Sequence, residues 1–166
     1  MVSVVPLEQA IWAALDDVKD PEIPQISVVD LGVVHRVEVG PGRVRVELLP
    51  TFIGCPAVDL MRVAVEERLR DFAPSVEATI TFAEPWTSDR ITERGRRHLR
   101  EGGFAPPARG TGDDSPSASL PVFPVVACPY CGSLHTTLEN AFGPTLCRAI
   151  HHCADCRQPF ESFKTV

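Results

Sequence analysis

The chain has 166 residues, a hydrophobic fraction of 44% and a formal net charge of −6 at pH 7. This length suits one domain of about 100 residues with a small second domain. The acidic balance argues against a nucleic-acid partner, which needs a cationic surface, and no stretch reaches the roughly 18 apolar residues of a membrane span. The N-terminal segment lacks the cationic start and apolar core of a secretion signal, so we expect a cytoplasmic protein.

The first hundred residues predict a small α+β layer. Apolar residues at intervals of three and four predict a helix over 7–18. Alternating apolar and polar residues predict strands at 32–39 and 43–49, joined by a glycine-rich turn. A second helix follows Pro56, and a third strand covers 76–82. The order helix, strand, strand, helix, strand is typical of an α+β domain.

The second half of the chain predicts a domain boundary. A charged surface helix is expected over 88–100, with Ser88 as its N-cap. Residues 103–121 are rich in Pro, Gly, Ala and Ser without an apolar period, which is typical of a flexible linker. The predicted domains are therefore an α+β domain over 1–102, a linker over 103–121 and a small domain over 122–166.

Four cysteines near the C-terminus form two CxxC pairs, at Cys128 and Cys131 and at Cys153 and Cys156. Each CxxC turn brings two sulfurs to one point, and two such turns complete a tetrahedral site that suits zinc. A module of roughly 45 residues buries too little apolar surface to fold alone, and a structural metal compensates for this. The sequence therefore predicts one structural zinc site in a C-terminal zinc ribbon.

Alternatives to this site remain open at the level of the sequence. His151 or His152, which precede Cys153, or Cys147 could replace one of the four cysteines as a ligand. A four-cysteine pocket also accepts iron or an iron–sulfur cluster. The symmetry of the two CxxC turns favours the four-cysteine set with zinc, and Cys147 is then a packed thiol.

Cys55 is the candidate functional residue of the first domain. It stands directly before Pro56, a favoured first helical residue, so its sulfur should lie near the positive end of the helix dipole. Such a setting favours the thiolate form. The alternative is a small buried residue that closes a turn.

Acidic residues of the loop after the first helix are candidate partners of Cys55. Asp20 and Glu22 flank Pro21, and Asp30 could cap or brace the same loop. These carboxylates could join the Cys55 sulfur as ligands of a transient metal, although acidic residues in a loop are often simply solvated. His35 lies in phase with apolar strand residues and is interpreted as structural.

The motifs around these residues resemble a known family. DPEIP at 20–24, SVVDLG at 27–32 and TFIGCP at 51–56 resemble the small domain of iron–sulfur assembly factors of the SufT type. PWTSDRIT at 85–92, GRR at 95–97 and the cysteine-containing tail narrow this resemblance to the PaaD family, accessory proteins of the phenylacetyl-CoA epoxidase. The resemblance covers nearly the whole chain except the segment 103–121.

The resemblance implies an accessory factor for aerobic phenylacetate degradation that helps to mature an iron centre or iron–sulfur cluster of the epoxidase. It implies Asp20, Glu22 and Cys55 as the functional positions of an α/β domain that is followed by a zinc ribbon. The implied partners are oxygenase or reductase components of the epoxidase and iron–sulfur assembly proteins, with neither nucleic acid nor membrane involved. A homodimer through an exposed strand edge is a further alternative.

Three classes of function are compatible with these features. The leading hypothesis is an assembly adaptor whose Cys55 transiently holds iron or a cluster. The second is a structural interaction subunit of the oxygenase complex, without metal transfer. The third, an enzyme with Cys55 as nucleophile, is disfavoured because no histidine is placed by motif to activate the thiol.

Overall fold

A computed structural model describes residues 6–52, 54–107 and 125–164. The chain divides into two compact units, one of residues 1–86 and 90–95 and one of residues 87–89 and 96–166. None of the helices in the described parts of the chain has the length and apolar character that a bilayer span needs. The two units are described separately below.

The first unit contains two helices and a three-stranded sheet. Helix α1 (Leu7–Asp16) precedes strands β1 (Val34–Gly40) and β2 (Arg43–Leu48), and helix α2 (Ala57–Leu69) precedes strand β3 (Ser75–Ile80). The sheet has the order β1-β2-β3, in which β1 and β2 are antiparallel and β2 and β3 are parallel. Helix α2 is the connection that the parallel pair requires.

The core of this unit lies between one face of the sheet and the two helices. The alternating residues Val44, Val46 and Leu48 of β2 are fully buried, as alternation predicts for a half-buried strand. Helix α1 contributes Ile11 and Leu15, which are also fully buried. The long loop between α1 and β1 adds buried apolar side chains as well, and these fix the loop to the domain; they are Ile23, Ile26, Val28, Leu31 and Val33.

The predicted fold class and the order of elements in this unit are confirmed. The first helix ends at Asp16, two residues before the predicted end, and the second helix ends at Leu69. The strands begin or end within two residues of the predicted limits. Hydrophobic periodicity located each element, and the ends are set by backbone hydrogen bonds that periodicity does not report.

The predicted charged helix starts later than the sequence indicates. Residues Ser88–Arg90 form a single 3-10 turn, and helix α3 spans Glu93–Glu101. The Thr92 hydroxyl accepts the N–H of Gly95 at 2.9 Å, so Thr92 caps the helix and the prediction of Ser88 as N-cap is wrong. The helix is also not purely a surface element, because Arg96 and Leu99 are buried.

The second unit contains a four-stranded sheet of order β4-β7-β6-β5. Its strands are β4 (Phe104–Ala105), β5 (Thr136–Asn140), β6 (Arg148–Cys153) and β7 (Pro159–Phe163). Strand β4 pairs in parallel with β7, so the start of the predicted linker is wrong: residues 104–105 belong to the sheet. Ala105 is a fully buried core residue, although small residues of this kind are also typical of linkers. The predicted linker residues 108–121 lie outside the described residues.

The core of the second unit is small and contains sulfur. Its buried cluster consists of Ala105, Cys128, Cys153 and Phe160, with Val126 and Cys156 packed against it. Three of these six residues belong to the CxxC pairs. This unit is therefore organised around its thiols rather than around a large apolar interior.

Candidate functional site

The four predicted metal ligands lie together in the second unit. The Sγ atoms of Cys128, Cys131, Cys153 and Cys156 are all within 4.8 Å of one another. The pairs Cys128–Cys156 and Cys131–Cys153 are both separated by 3.6 Å between their sulfurs. A tetrahedron with metal–sulfur bonds of about 2.3 Å has sulfur–sulfur edges of about 3.8 Å. The four thiols therefore form a metal site with the dimensions of a tetrathiolate centre.

The two CxxC turns share one backbone design. The N–H of Gly132 bonds to the carbonyl of Cys128, and the N–H of Arg157 bonds to the carbonyl of Cys153, both at 2.9 Å. Both donors have left-handed backbone angles, with φ of 76° at Gly132 and 59° at Arg157. Glycine adopts this conformation without strain, whereas arginine does not. Among the described residues Arg157 is the only residue other than glycine with a positive φ.

The protonation of the thiols is uneven without a cation. The backbone N–H of Cys156 lowers the pKa of Cys153 to about 6, and desolvation raises the pKa of Cys156 to about 12. Clustered sulfurs resist becoming anions together unless a cation compensates their charge. A metal ion bound at this site would hold all four as thiolates.

A polar bridge outside the metal site joins the two CxxC turns. The Ser133 hydroxyl donates to Asp155 at 2.6 Å, and the same carboxylate lies 3.2 Å from Nδ1 of His135. The hydrogen bond from Ser133 lowers the pKa of Asp155. The sequence patterns did not predict this bridge, and the only signal for it was the position of these residues directly beside the cysteines.

The alternative ligands do not reach the metal site. His151 is buried, its Nε2 lies 2.9 Å from the Ser162 hydroxyl, and its ring stacks on Phe160. Burial lowers the pKa of His151, which favours the neutral ring. Cys147 is buried with its sulfur 3.1 Å from the Thr145 hydroxyl, and the clustered ligand set includes neither Cys147 nor His152. The structure thus favours the four-cysteine set.

Asp20 has a structural position in the loop of the first unit. Its Oδ1 accepts the N–H groups of Glu22 at 2.7 Å and Ile23 at 2.9 Å, an arrangement that fixes a turn. The residue is 8% exposed, whereas Glu22 is partly exposed. The backbone of Asp20 also donates to the carbonyl of Ile26 at 3.0 Å. Asp20 therefore shapes the loop that presents Glu22.

Cys55 lies immediately before helix α2, as predicted. It is partly exposed, and its carbonyl accepts the N–H of Val58 at 3.4 Å in the first turn of the helix. Pro56 already has helical backbone angles, and no side chain caps this helix start. The sulfur is therefore close to a helix N-terminus whose N–H groups are not occupied by a side chain.

The structure does not gather Asp20, Glu22 and Cys55 into a compact ligand set. Within the described residues, the four cysteines of the second unit are the only group of three or more metal-ligating side chains whose ligand atoms lie close together. A metal shared by Asp20, Glu22 and Cys55 would therefore require the loops that carry them to move. Their assignment as a transient site stays a prediction.

Asp30 has the bracing role that was predicted for it. Its carboxylate accepts the Thr92 hydroxyl at 2.6 Å and Nε of Arg94 at 2.9 Å, and its backbone N–H bonds to the Ser27 hydroxyl. Arg94 also reaches Asp16 at 2.5 Å. The hydrogen bond to Asp30 raises the pKa of Arg94. This network ties the loop to residues more than 60 positions later in the chain.

The segment after β3 packs directly on the same loop. The indole N–H of Trp86 donates to the carbonyl of Leu31 at 3.1 Å, and Nε of Arg90 donates to the carbonyl of Gly32 at 2.9 Å. Gly32 has φ of 71°, and a β-carbon there would collide with the backbone carbonyl of Arg90. Both stretches stand out as sequence motifs, but the sequence did not predict that they contact each other.

Two protein families match separate parts of the chain. The PaaD zinc beta ribbon domain matches residues 113–164, which include all four clustered cysteines. The iron–sulfur cluster assembly protein family matches residues 8–81, which include Asp20, Glu22 and Cys55. The Asp30-binding segment around Trp86 and Thr92 follows the second match.

Among solved structures, a domain of unknown function (DUF59) from Bacillus anthracis is 25% identical with a TM-score of 0.52, covering 56% of this chain and 91% of its own. A conserved hypothetical protein from Thermotoga maritima is 27% identical with a TM-score of 0.48, covering 60% and 98%. The first of these supports the α+β fold of the first unit.

Among characterised sequences, a protein of Escherichia coli (strain K12) that is named as a subunit of a "putative 1,2-phenylacetyl-CoA epoxidase" is 41% identical over 164 residues. The match covers 97% of this chain and 94% of the relative. With the zinc ribbon of PaaD at its C-terminus, the chain therefore belongs to the PaaD family, together with this epoxidase subunit.

Proposed function

We propose that this protein is an accessory factor of aerobic phenylacetate degradation that helps to mature an iron centre or iron–sulfur cluster of the phenylacetyl-CoA epoxidase. The observation that carries the proposal is the match over 97% of the chain to a relative named as a subunit of that epoxidase. The iron–sulfur assembly family matched over residues 8–81 supports the maturation role. The protein itself is not proposed to be catalytic.

The two units have different relations to metal in this proposal. The second unit holds a resident zinc ion on four cysteines, two of which, Cys128 and Cys153, are buried. A buried tetrathiolate site with no position for another ligand is typical of structural zinc. This ion stabilises the ribbon and is not transferred.

The first unit handles the metal or cluster as cargo. Cys55 is the only cysteine before Cys128, and it is partly exposed at the start of helix α2. A thiolate there can bind iron and release it, because one sulfur with two carboxylates is a weaker ligand set than four thiolates. Asp20 and Glu22 are the proposed oxygen ligands, and they meet Cys55 only after loop movement.

The central experiment replaces Cys55→Ser in cells that depend on this protein for epoxidase activity. The readout is the iron and cluster content of the purified epoxidase reductase and oxygenase components. We expect the content to fall at least severalfold, since a hydroxyl is a poor ligand for iron or a cluster. Cys147→Ser is the matched control, because it removes a buried thiol outside both proposed sites.

The acid loop allows an equally well-controlled substitution. Asp20→Asn keeps an oxygen that can accept the N–H groups of Glu22 and Ile23, and therefore keeps the turn while removing the charge. We expect Asp20→Asn and Glu22→Gln to lower epoxidase maturation without lowering the melting temperature. Normal metal content of the epoxidase in the Cys55→Ser strain would refute the transfer role.

A second function is a structural subunit of the epoxidase complex. The observation in its favour is the set of large apolar side chains that the ribbon unit exposes, each more than half accessible: Val125, Tyr130, Leu134, Phe142 and Leu146. Such side chains are typical of protein contact surfaces. Co-purification separates the two functions, because a structural subunit stays with the epoxidase in fixed ratio and a transient adaptor does not.

A further inference from the structure

The two edges of the sheet in the first unit are protected to different degrees. On the β3 edge, the N–H of Ala78 donates to the carboxylate of Glu66 from helix α2 at 3.0 Å. Within the described residues no strand and no side-chain hydrogen bond covers the outer backbone of β1. An uncovered edge strand of seven residues is a template for pairing with another strand.

The solvent face of this sheet carries charges of alternating sign across its strands. Glu38 of β1 stands opposite Arg45 of β2, which stands opposite Glu77 of β3. The Arg45–Glu77 pair is formed at 3.0 Å. In the neighbouring row, Arg36 of β1 stands opposite Glu47 of β2. Opposite charges on directly paired residues stabilise a sheet, and like charges destabilise it.

The β1 strand is complementary to an antiparallel copy of itself. If two β1 strands pair about a two-fold axis at Val37, Arg36 of each copy stands opposite Glu38 of the other. Moving the axis to position 36 or 38 would instead set two arginines or two glutamates against each other. A shift by half of that step would turn the side chains to opposite faces. Only the axis at Val37 continues the alternation of charge across all six strands.

Apolar side chains on the other face fit the same arrangement. Val37 is partly exposed and Val39 is 39% exposed, although their β2 partners Val46 and Val44 are fully buried. A second β1 strand would cover the outer side of Val37 with its own copy. Two-fold pairing of this kind is the commonest symmetry of protein dimers.

We propose that two copies of this chain form a dimer by antiparallel pairing of their β1 strands about Val37, with reciprocal Arg36–Glu38 ion pairs. The resulting six-stranded sheet has the strand order β3-β2-β1-β1-β2-β3. This dimer is independent of the proposed maturation role and of the metal site.

The register can be tested by exchanging charges in the full-length zinc-loaded protein. Arg36→Glu places two acidic residues opposite each other, and Glu38→Arg places two basic residues opposite each other. We expect each single variant to weaken dimerisation about tenfold or more, measured by sedimentation equilibrium and light scattering across micromolar concentrations. The double variant exchanges both charges and should restore the dimer.

A mixture of the two single variants gives the sharpest result. One variant then offers two acidic and the other two basic residues, so they should form a heterodimer where neither forms a homodimer. Glu77→Arg on the β3 edge is the control and should leave the dimer unchanged. Circular dichroism and zinc content show that each variant is folded.

A covalent test does not depend on the strength of the dimer. Val37→Cys should form a disulfide between copies under mild oxidation, since the two Cα atoms would be about 5 Å apart. Val39→Cys should not, because its copies would be more than about 10 Å apart along the strands. A protein that is monomeric at all concentrations, or a dimer that neither charge variant weakens, would overturn the proposal.

Discussion

The two units of this protein reach a stable fold by different means. In the first unit, fully buried aliphatic side chains from two helices, one central strand and a long loop form an apolar core. In the ribbon unit, the buried cluster is small and half of its members are cysteines of the metal site. The difference teaches that one chain can combine a domain whose stability is hydrophobic with one whose stability is coordinative. Four predictions test this contrast, in order of decreasing effect.

Removing one zinc ligand should affect only the ribbon unit, with the largest effect. Cys153 is fully buried, and Cys153→Ser removes a ligand from a site whose metal contributes on the order of 10 kcal/mol. We expect loss of bound zinc and loss of amide protection throughout 125–164, while the first unit keeps its protection. Hydrogen exchange and metal analysis measure both effects.

Cys147→Ser is the control for that substitution, since its thiol is buried but outside the site. It should retain one zinc per chain. Unfolding of the first unit together with the ribbon in Cys153→Ser would contradict the proposed independence of the two kinds of core.

Truncating an aliphatic side chain should give the opposite distribution of effects. Leu15 of α1 is fully buried, and Leu15→Ala should destabilise the first unit by about 2–5 kcal/mol without changing zinc content. Urea unfolding followed by circular dichroism measures the change. Leu7→Ala, at a position that is 49% exposed, should change stability by less than about 0.5 kcal/mol. Loss of zinc in Leu15→Ala would be the contrary result.

The Asp30 network should contribute less than the apolar core but more than a surface ion pair. The Asp30 side chain is 2% exposed and accepts hydrogen bonds from Thr92 and Arg94. Asp30→Asn should lower the stability of the first unit by about 2 kcal/mol, because hydrogen bonds to a charged group are weakened. Glu77→Gln, in an exposed pair with Arg45, should cost less than about 1 kcal/mol. Equal effects of the two substitutions would mean that the network does not hold the loop.

Backbone conformation in the two CxxC turns should give the smallest effects, of opposite sign. Gly132→Ala imposes a side chain on left-handed backbone and should destabilise the ribbon by about 1–2 kcal/mol, although the space around it is open. Arg157→Gly removes such strain and should stabilise the ribbon by up to about 1 kcal/mol. Competition for zinc with a chelator measures both changes. Destabilisation by both substitutions would show that the Arg157 side chain, rather than its backbone, matters.

Sequence patterns predicted most of the fold because each pattern reports a local physical preference. Alternation in 43–49 identified the central strand, and the spacing of the four cysteines identified the metal ligands. The prediction was wrong at Ser88 and at Phe104–Ala105. A potential N-cap is used only if the chain turns into a helix there, and a two-residue strand has no period of its own.

The sequence by itself determined the identity of the metal ligands, the order of helices and strands, and the place of Cys55 before a helix, since all of these depend on neighbouring residues. The tertiary structure alone decided that Thr92 and Arg94 hold Asp30, that His151 pairs with Ser162 rather than with metal, and that Asp20 and Cys55 are not clustered. These contacts join residues far apart in the chain, so they depend on how the elements pack, and no local pattern encodes that packing.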